Sequence, residues 1–108
     1  MTQPFVSQIR ARPDSIRLVP QGAPSMTLRV EMPDVWDTVR IVASPSELVL
    51  TIKVRALEAL FPEAEFHGDF VLKFRGWEIL EEASPLRDLG IGDGAILLLT
   101  HRRRRPVR

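Results

Sequence analysis

Apolar and polar side chains alternate twice between positions 26 and 43. Leu28, Val30 and Met32 alternate with Thr27, Arg29 and Glu31; after Pro33-Asp34-Val35-Trp36, Val39, Ile41 and Ala43 alternate with Thr38, Arg40 and Val42. A period of two marks a strand with one buried face, and two such runs joined by a turn predict an antiparallel hairpin. Ser44-Pro45-Ser46-Glu47 then reads as a helix start. Ser44 is the expected cap, Pro45 sits where a missing N–H costs nothing, and Glu47 completes an S-x-x-E box. The helix is expected to run to about position 61, where Pro62 stops it. Val49, Ile52, Ala56 and Leu60 form its apolar face, and the spacing leaves Lys53, Arg55 and Glu58 for water.

Beyond a polar loop over 63–69, positions 70–75 read as a third strand ending at Gly76, with a short return strand over 77–80. Positions 85–91 form a helical turn whose Leu86, Leu89 and Ile91 plug the core. The last run, 95–100, is apolar on both faces and belongs in the centre of a sheet. The expected architecture is therefore α+β. Residues 1–25 hold Pro4, Pro13, Pro20, Pro24 and Gly22, show no sustained period, and are expected to be extended or mobile. Within them, 15–19 has the makings of a short edge strand, tightly bounded by prolines. The domain is expected over 26–100, followed by a basic tail over 101–108.

Charge and composition remove several function classes. There is no Cys, hence no disulfide, thiolate nucleophile or Cys-based metal site. The longest apolar run, 95–99, falls far short of the roughly 20 residues that cross a bilayer. The start lacks the basic-then-apolar order of a signal peptide, so a cytoplasmic location is expected. The net charge of +1 hides an asymmetry, because Arg102, Arg103, Arg104, Arg105 and Arg108 carry five of the 15 basic charges. Without them ten basic residues face 14 acidic ones, a balance of −4. An acidic body with a basic tail points to an anionic partner for the tail.

The order hairpin, helix, third strand, short fourth strand, helical turn and central last strand is that of a β-grasp, and from position 26 onward the residues resemble the ubiquitin family. Met26-Thr27-Leu28-Arg29-Val30 is similar to its first strand, and Ser44-Pro45-Ser46 to the turn before its helix. Phe74-Arg75-Gly76 resembles its strand-ending Phe-Ala-Gly, Leu86-Arg87-Asp88-Leu89-Gly90-Ile91 its Leu-Ser-Asp-Tyr-Asn-Ile turn, and Ile96-Leu97-Leu98-Leu99 its last strand. Two departures bear on function. Where conjugated relatives end in Gly-Gly, this sequence has His101 and then arginines, so the resemblance implies a non-conjugating member. In place of the family's apolar recognition patch, Lys73 stands at the central isoleucine, Thr100 at the valine and Leu98 at the histidine between them. A smaller apolar spot of Leu98 and Trp77 is expected there. Lys53 matches a lysine mostly buried in the family, and Trp77 replaces the lysine best known for chain extension. Among relatives without Gly-Gly, the chain looks most like the small bacterial ubiquitin-like proteins of type VII secretion loci, which are thought to act noncovalently.

The expected function is noncovalent protein binding, as an adaptor or regulatory component of a larger complex. The expected contacts are Lys73, Trp77, Leu98 and Thr100 on the sheet, Trp36 in the first turn, and the arginine tail adding electrostatic attraction. For either Trp, the competing expectation is an indole lying flat over the core. The alternative is that the arginines themselves carry the function by binding nucleic acid or an anionic membrane surface; a covalent modifier is a third reading. A homodimer through a sheet edge is also compatible with the pattern. An enzyme is not expected, nor a cofactor: His67 with Glu63, Glu65 and Asp69 is one imidazole in a polar loop, and the glycines at 90, 92 and 94 precede a strand, as a turn does, and not a helix, as a phosphate loop does.

Overall fold

The alternation at 26–43 folds as its period requires. The computed structural model describes residues 15–102. In it β2 (Met26–Met32) and β3 (Asp37–Ala43) pair antiparallel from Met26 with Ala43 to Met32 with Asp37. They follow β1 (Ser15–Arg17), a short strand lying parallel to β3. One helix, α1 (Val49–Leu60), precedes β4 (Phe70–Phe74), β5 (Trp77–Glu78) and β6 (Ile96–His101). The six strands form one mixed sheet in the order β1-β3-β2-β6-β4-β5, with the last strand central, parallel to β2 and antiparallel to β4. This is the α+β, β-grasp architecture expected from the element order.

The core lies between the sheet and α1. Leu28, Val30, Val39, Ile41, Leu72, Leu97 and Leu99 face Val49, Ile52, Ala56 and Leu60, with Leu86 and Ile91 closing one end. Leu89 packs there only partly buried. Burial of these aliphatic side chains, at about 1.5–3 kcal/mol each, is the main favourable term holding the sheet to the helix.

The helix start differs from the expectation. Ser44 heads a turn, its carbonyl accepting the Glu47 N–H at 2.9 Å and its Oγ accepting the Ser46 N–H at 3.1 Å. The helix begins at Val49 after an extended Leu48 and has no side-chain cap. Its first amides are satisfied from a distant segment: Val49 N–H donates to the Ser84 carbonyl at 3.1 Å and Leu50 N–H to that of Glu82 at 2.8 Å. Leu86 and Arg87 N–H return bonds to the carbonyls of Glu47 and Pro45. Orphan donors at a helix start need acceptors, but long-range backbone supplies them as well as a nearby serine does.

Lys53 also departs from its helical spacing. It is wholly buried, its Nζ donating to the Phe70 carbonyl at 2.9 Å and pairing with Glu82 Oε2 at 2.7 Å. The helical pattern misplaced this side chain, and the family resemblance placed it correctly. Residues 1–14 and 103–108 lie outside the described residues, and with them most of the N-terminal segment and of the arginine tail. Among the described residues no helix is long and apolar enough to cross a membrane.

Candidate protein-interaction face

Successive residues of a strand point to opposite faces, so register fixes which side chains share the outer face, away from α1. Leu97 and Leu99 are fully buried, and Ile96, Leu98 and Thr100 therefore point outward from the central strand. Leu98 is the direct register partner of Glu31 on β2 and of Lys73 on β4, and Lys73 in turn opposes Glu78 on β5. Thr100 lies two residues on, opposite Val71. The outer face thus brings Lys73, Leu98 and Thr100 together at its centre, in agreement with their expected common face.

The electrostatics around Lys73 follow from the end of the chain. Glu78, its neighbour in the row, is taken by Arg102, whose Nη1 lies 3.1 Å from Glu78 Oε2. Arg102 Nε donates to the Gly68 carbonyl at 3.0 Å and its backbone N–H to the Asp69 carbonyl at 2.6 Å. Arg102 is thereby pinned to the loop before β4, and His101, expected in the tail, is the last residue of β6 with its ring edge-on to Phe70. Lys73 forms no ion pair among the described residues and presents its ammonium beside Leu98.

Both tryptophans are exposed, against the competing expectation of indoles lying flat over the core. Trp77 is 79% exposed but opposes Phe74, an inward residue, so it stands on the helix side of the sheet and not beside Lys73 and Leu98. There it borders a groove of about 470 Å³ with Phe74, Ile79, Leu80 and Leu89. The turn before it is Arg75-Gly76, both left-handed at φ 57 and 85, the geometry of a two-residue hairpin turn, and Arg75 stacks its guanidinium 5.1 Å from the Phe74 ring centre. Leu80, exposed on this groove, and Ile96 on the outer face were not singled out from the sequence, although alternation from buried Leu97 places Ile96 outward.

Trp36 is 92% exposed and closes the first turn in a left-handed conformation, φ 52 and ψ 46. That conformation costs a non-glycine residue about 1–2 kcal/mol, and an indole in solvent returns nothing by burial. Trp36→Gly is expected to leave stability unchanged or raise it by up to about 1 kcal/mol, the gain reduced by glycine's greater freedom when unfolded. Urea unfolding checks this; a loss above about 1 kcal/mol would mean that the indole packs on the domain.

His67 sits exposed in a short 3-10 turn, His67–Asp69, and among the described residues no three His, Asp or Glu side chains converge as metal ligands would.

No protein-family profile matches the chain, and no curated protein matches it. Solved structures do. A ubiquitin-like domain of an Arabidopsis thaliana protein superposes with a TM-score of 0.63 at 13% identity, covering 84% of this chain and 92% of that one. Ubiquitin of Caldiarchaeum subterraneum gives 0.62 at 14% identity, covering 76% of this chain and 99% of that one. A designed protein based on ubiquitin gives 0.61 at 16% identity, covering 81% and 100%. At these identities the likeness shows a ubiquitin-like fold and no more.

Proposed function

We propose that this ubiquitin-like domain is a noncovalent protein-binding module, an adaptor or regulatory part of a larger complex, that docks by the outer face of its sheet at Leu98 and Lys73. One observation carries the reading: an apolar side chain and a cation that has no ion pair among the described residues are direct register partners at the middle of that face. Such a pairing suits a partner that offers an apolar contact beside a carboxylate or a carbonyl. Among the described residues the sheet edges are three and two residues long, so the proposal places the partner on the face and not at an edge. Arg103, Arg104, Arg105 and Arg108, which follow Arg102 in the sequence, add attraction that salt weakens. The proposal carries with it a cytoplasmic setting, action without catalysis or cofactor, and kinship with the bacterial ubiquitin-like proteins of type VII secretion loci.

The test is a pull-down from the native host with the full chain and with a chain ending at Arg102, washed at low and high salt with and without nuclease. Truncation after Arg102 keeps the contacts to Gly68, Asp69 and Glu78. The expected result is one protein retained by both chains at both salts, released intact and without isopeptide-linked fragments in the mass spectrum. Loss of all binding with the tail, or with salt and nuclease, would assign the function to the arginines and an anionic polymer or surface instead.

A further inference from the structure

Arg29 on β2 and Arg40 on β3 are direct register partners, which sets two guanidiniums opposite each other at a spacing where like charges repel. Both are exposed and point to the outer face, since their neighbours Leu28, Val30, Val39 and Ile41 are buried. The first strand adds a third. Ser15 pairs with Arg40 and Arg17 with Val42, so Arg17 shares that face one diagonal step from Arg40. Arg55, Arg87 and Arg102 all lie in ion pairs, whereas among the described residues Arg17, Arg29 and Arg40 form none; Arg17 donates to the Val19 carbonyl at 3.4 Å. Arg29 and Arg40 line one groove of about 270 Å³, with the half-exposed Ile96 in its wall. Asp93 also lines the groove, its Oδ1 accepting the Thr27 N–H at 2.8 Å. Glu31 lies on the next row, opposite Thr38, without an ion pair among the described residues.

The three guanidiniums share one face, and none is ion-paired among the described residues. We infer that the groove is a docking site for an acidic peptide segment of a partner protein, one carboxylate side chain entering between Arg29 and Arg40 and an apolar neighbour resting on Ile96. Guanidinium forks match carboxylates in bidentate geometry. A space of this size takes one or two side chains, and with Asp93 in its lining and Glu31 on the next row it offers no continuous basic track to a phosphodiester chain. The groove lies on the same outer face as Lys73 and Leu98, with Ile96 two residues before Leu98 on β6, but its occupation does not depend on docking at that pair.

The test is an NMR titration of the isotope-labelled full chain with a synthetic Asp- and Glu-rich peptide containing one leucine, and in parallel with a DNA duplex of equal charge. The wild type is compared with Arg40→Glu and with Leu80→Ala, an exposed site outside the arginine groove. Saturable shifts are expected at the amides of Arg29, Arg40 and Ile96 with the peptide. Affinity should fall at least about tenfold in Arg40→Glu and also when NaCl rises from about 0.05 to about 0.5 M, with Leu80→Ala unchanged. Arg40→Glu sets a carboxylate opposite Arg29 and is expected to melt above the wild type, which separates loss of binding from loss of fold. Absence of saturable shifts at these amides, equal affinity in Arg40→Glu, or a duplex that shifts the same amides at lower concentration would overturn the inference.

Discussion

Lys53→Ala is expected to destabilise the domain by about 3 kcal/mol and to lower its melting temperature by roughly 15 °C. Three effects add. The lysine stem is wholly buried, so truncation leaves a cavity beside α1. The Phe70 carbonyl loses the donor at 2.9 Å in a buried setting. Glu82 loses its partner at 2.7 Å, but its side chain is 21% exposed and regains water, which keeps the total below that for a fully buried pair. Lys53→Met fills the same volume without the charge and is expected to cost only about 1–2 kcal/mol. Denaturant unfolding of both variants checks the order; an alanine cost below about 1 kcal/mol would mean that the bond from α1 to the start of β4 does not hold the fold. The same burial leaves Lys73 as the accessible lysine of the two in the chain.

The pair Lys73→Glu and Leu98→Ala is expected to weaken partner binding by about 2–3 kcal/mol, roughly thirtyfold to a hundredfold, while leaving the melting temperature within a few degrees of the wild type. Truncating Leu98 removes about three methylene equivalents of apolar contact, and reversing Lys73 sets a carboxylate where the partner met a cation. Stability is expected to hold because both side chains are only half-buried and point away from α1. Calorimetric titration of the partner recovered by pull-down reads the effect. Affinity within about twofold of the wild type would move the interface elsewhere, with the groove beside Trp77 the next surface to mutate.

What could be read from the residues and what could not divide along a physical line. Strands with one wet face announce themselves by alternation and central ones by an unbroken apolar run, and so the hairpin over 26–43 and the central place of the last strand were legible in the chain alone. The helix start was not, because its donors are met by the carbonyls of Glu82 and Ser84, about thirty residues away, and no local pattern encodes such partners. Lys53 follows the same logic: its partners Phe70 and Glu82 come from other segments, and only their convergence makes a buried ammonium tolerable. Of the outer-face residues, Lys73, Leu98 and Thr100 were placed together by the family likeness. Trp77 was grouped with them by the same likeness, but the two-residue turn at Arg75-Gly76 sets it opposite Phe74 and so on the other face. The cluster of Arg17, Arg29 and Arg40 depends on β1 lying parallel to β3, a pairing that two prolines at its flanks made hard to foresee.

The most direct test of docking through the outer sheet face is an NMR map of the isotope-labelled full chain bound to its recovered partner. The account predicts the largest shifts and the strongest amide protection at Lys73, Leu98 and Thr100, with side-chain contacts from the Leu98 methyls to the partner. Shifts concentrated instead at Trp77, Leu80 and Leu89, or confined to the arginines after Thr100, would contradict it.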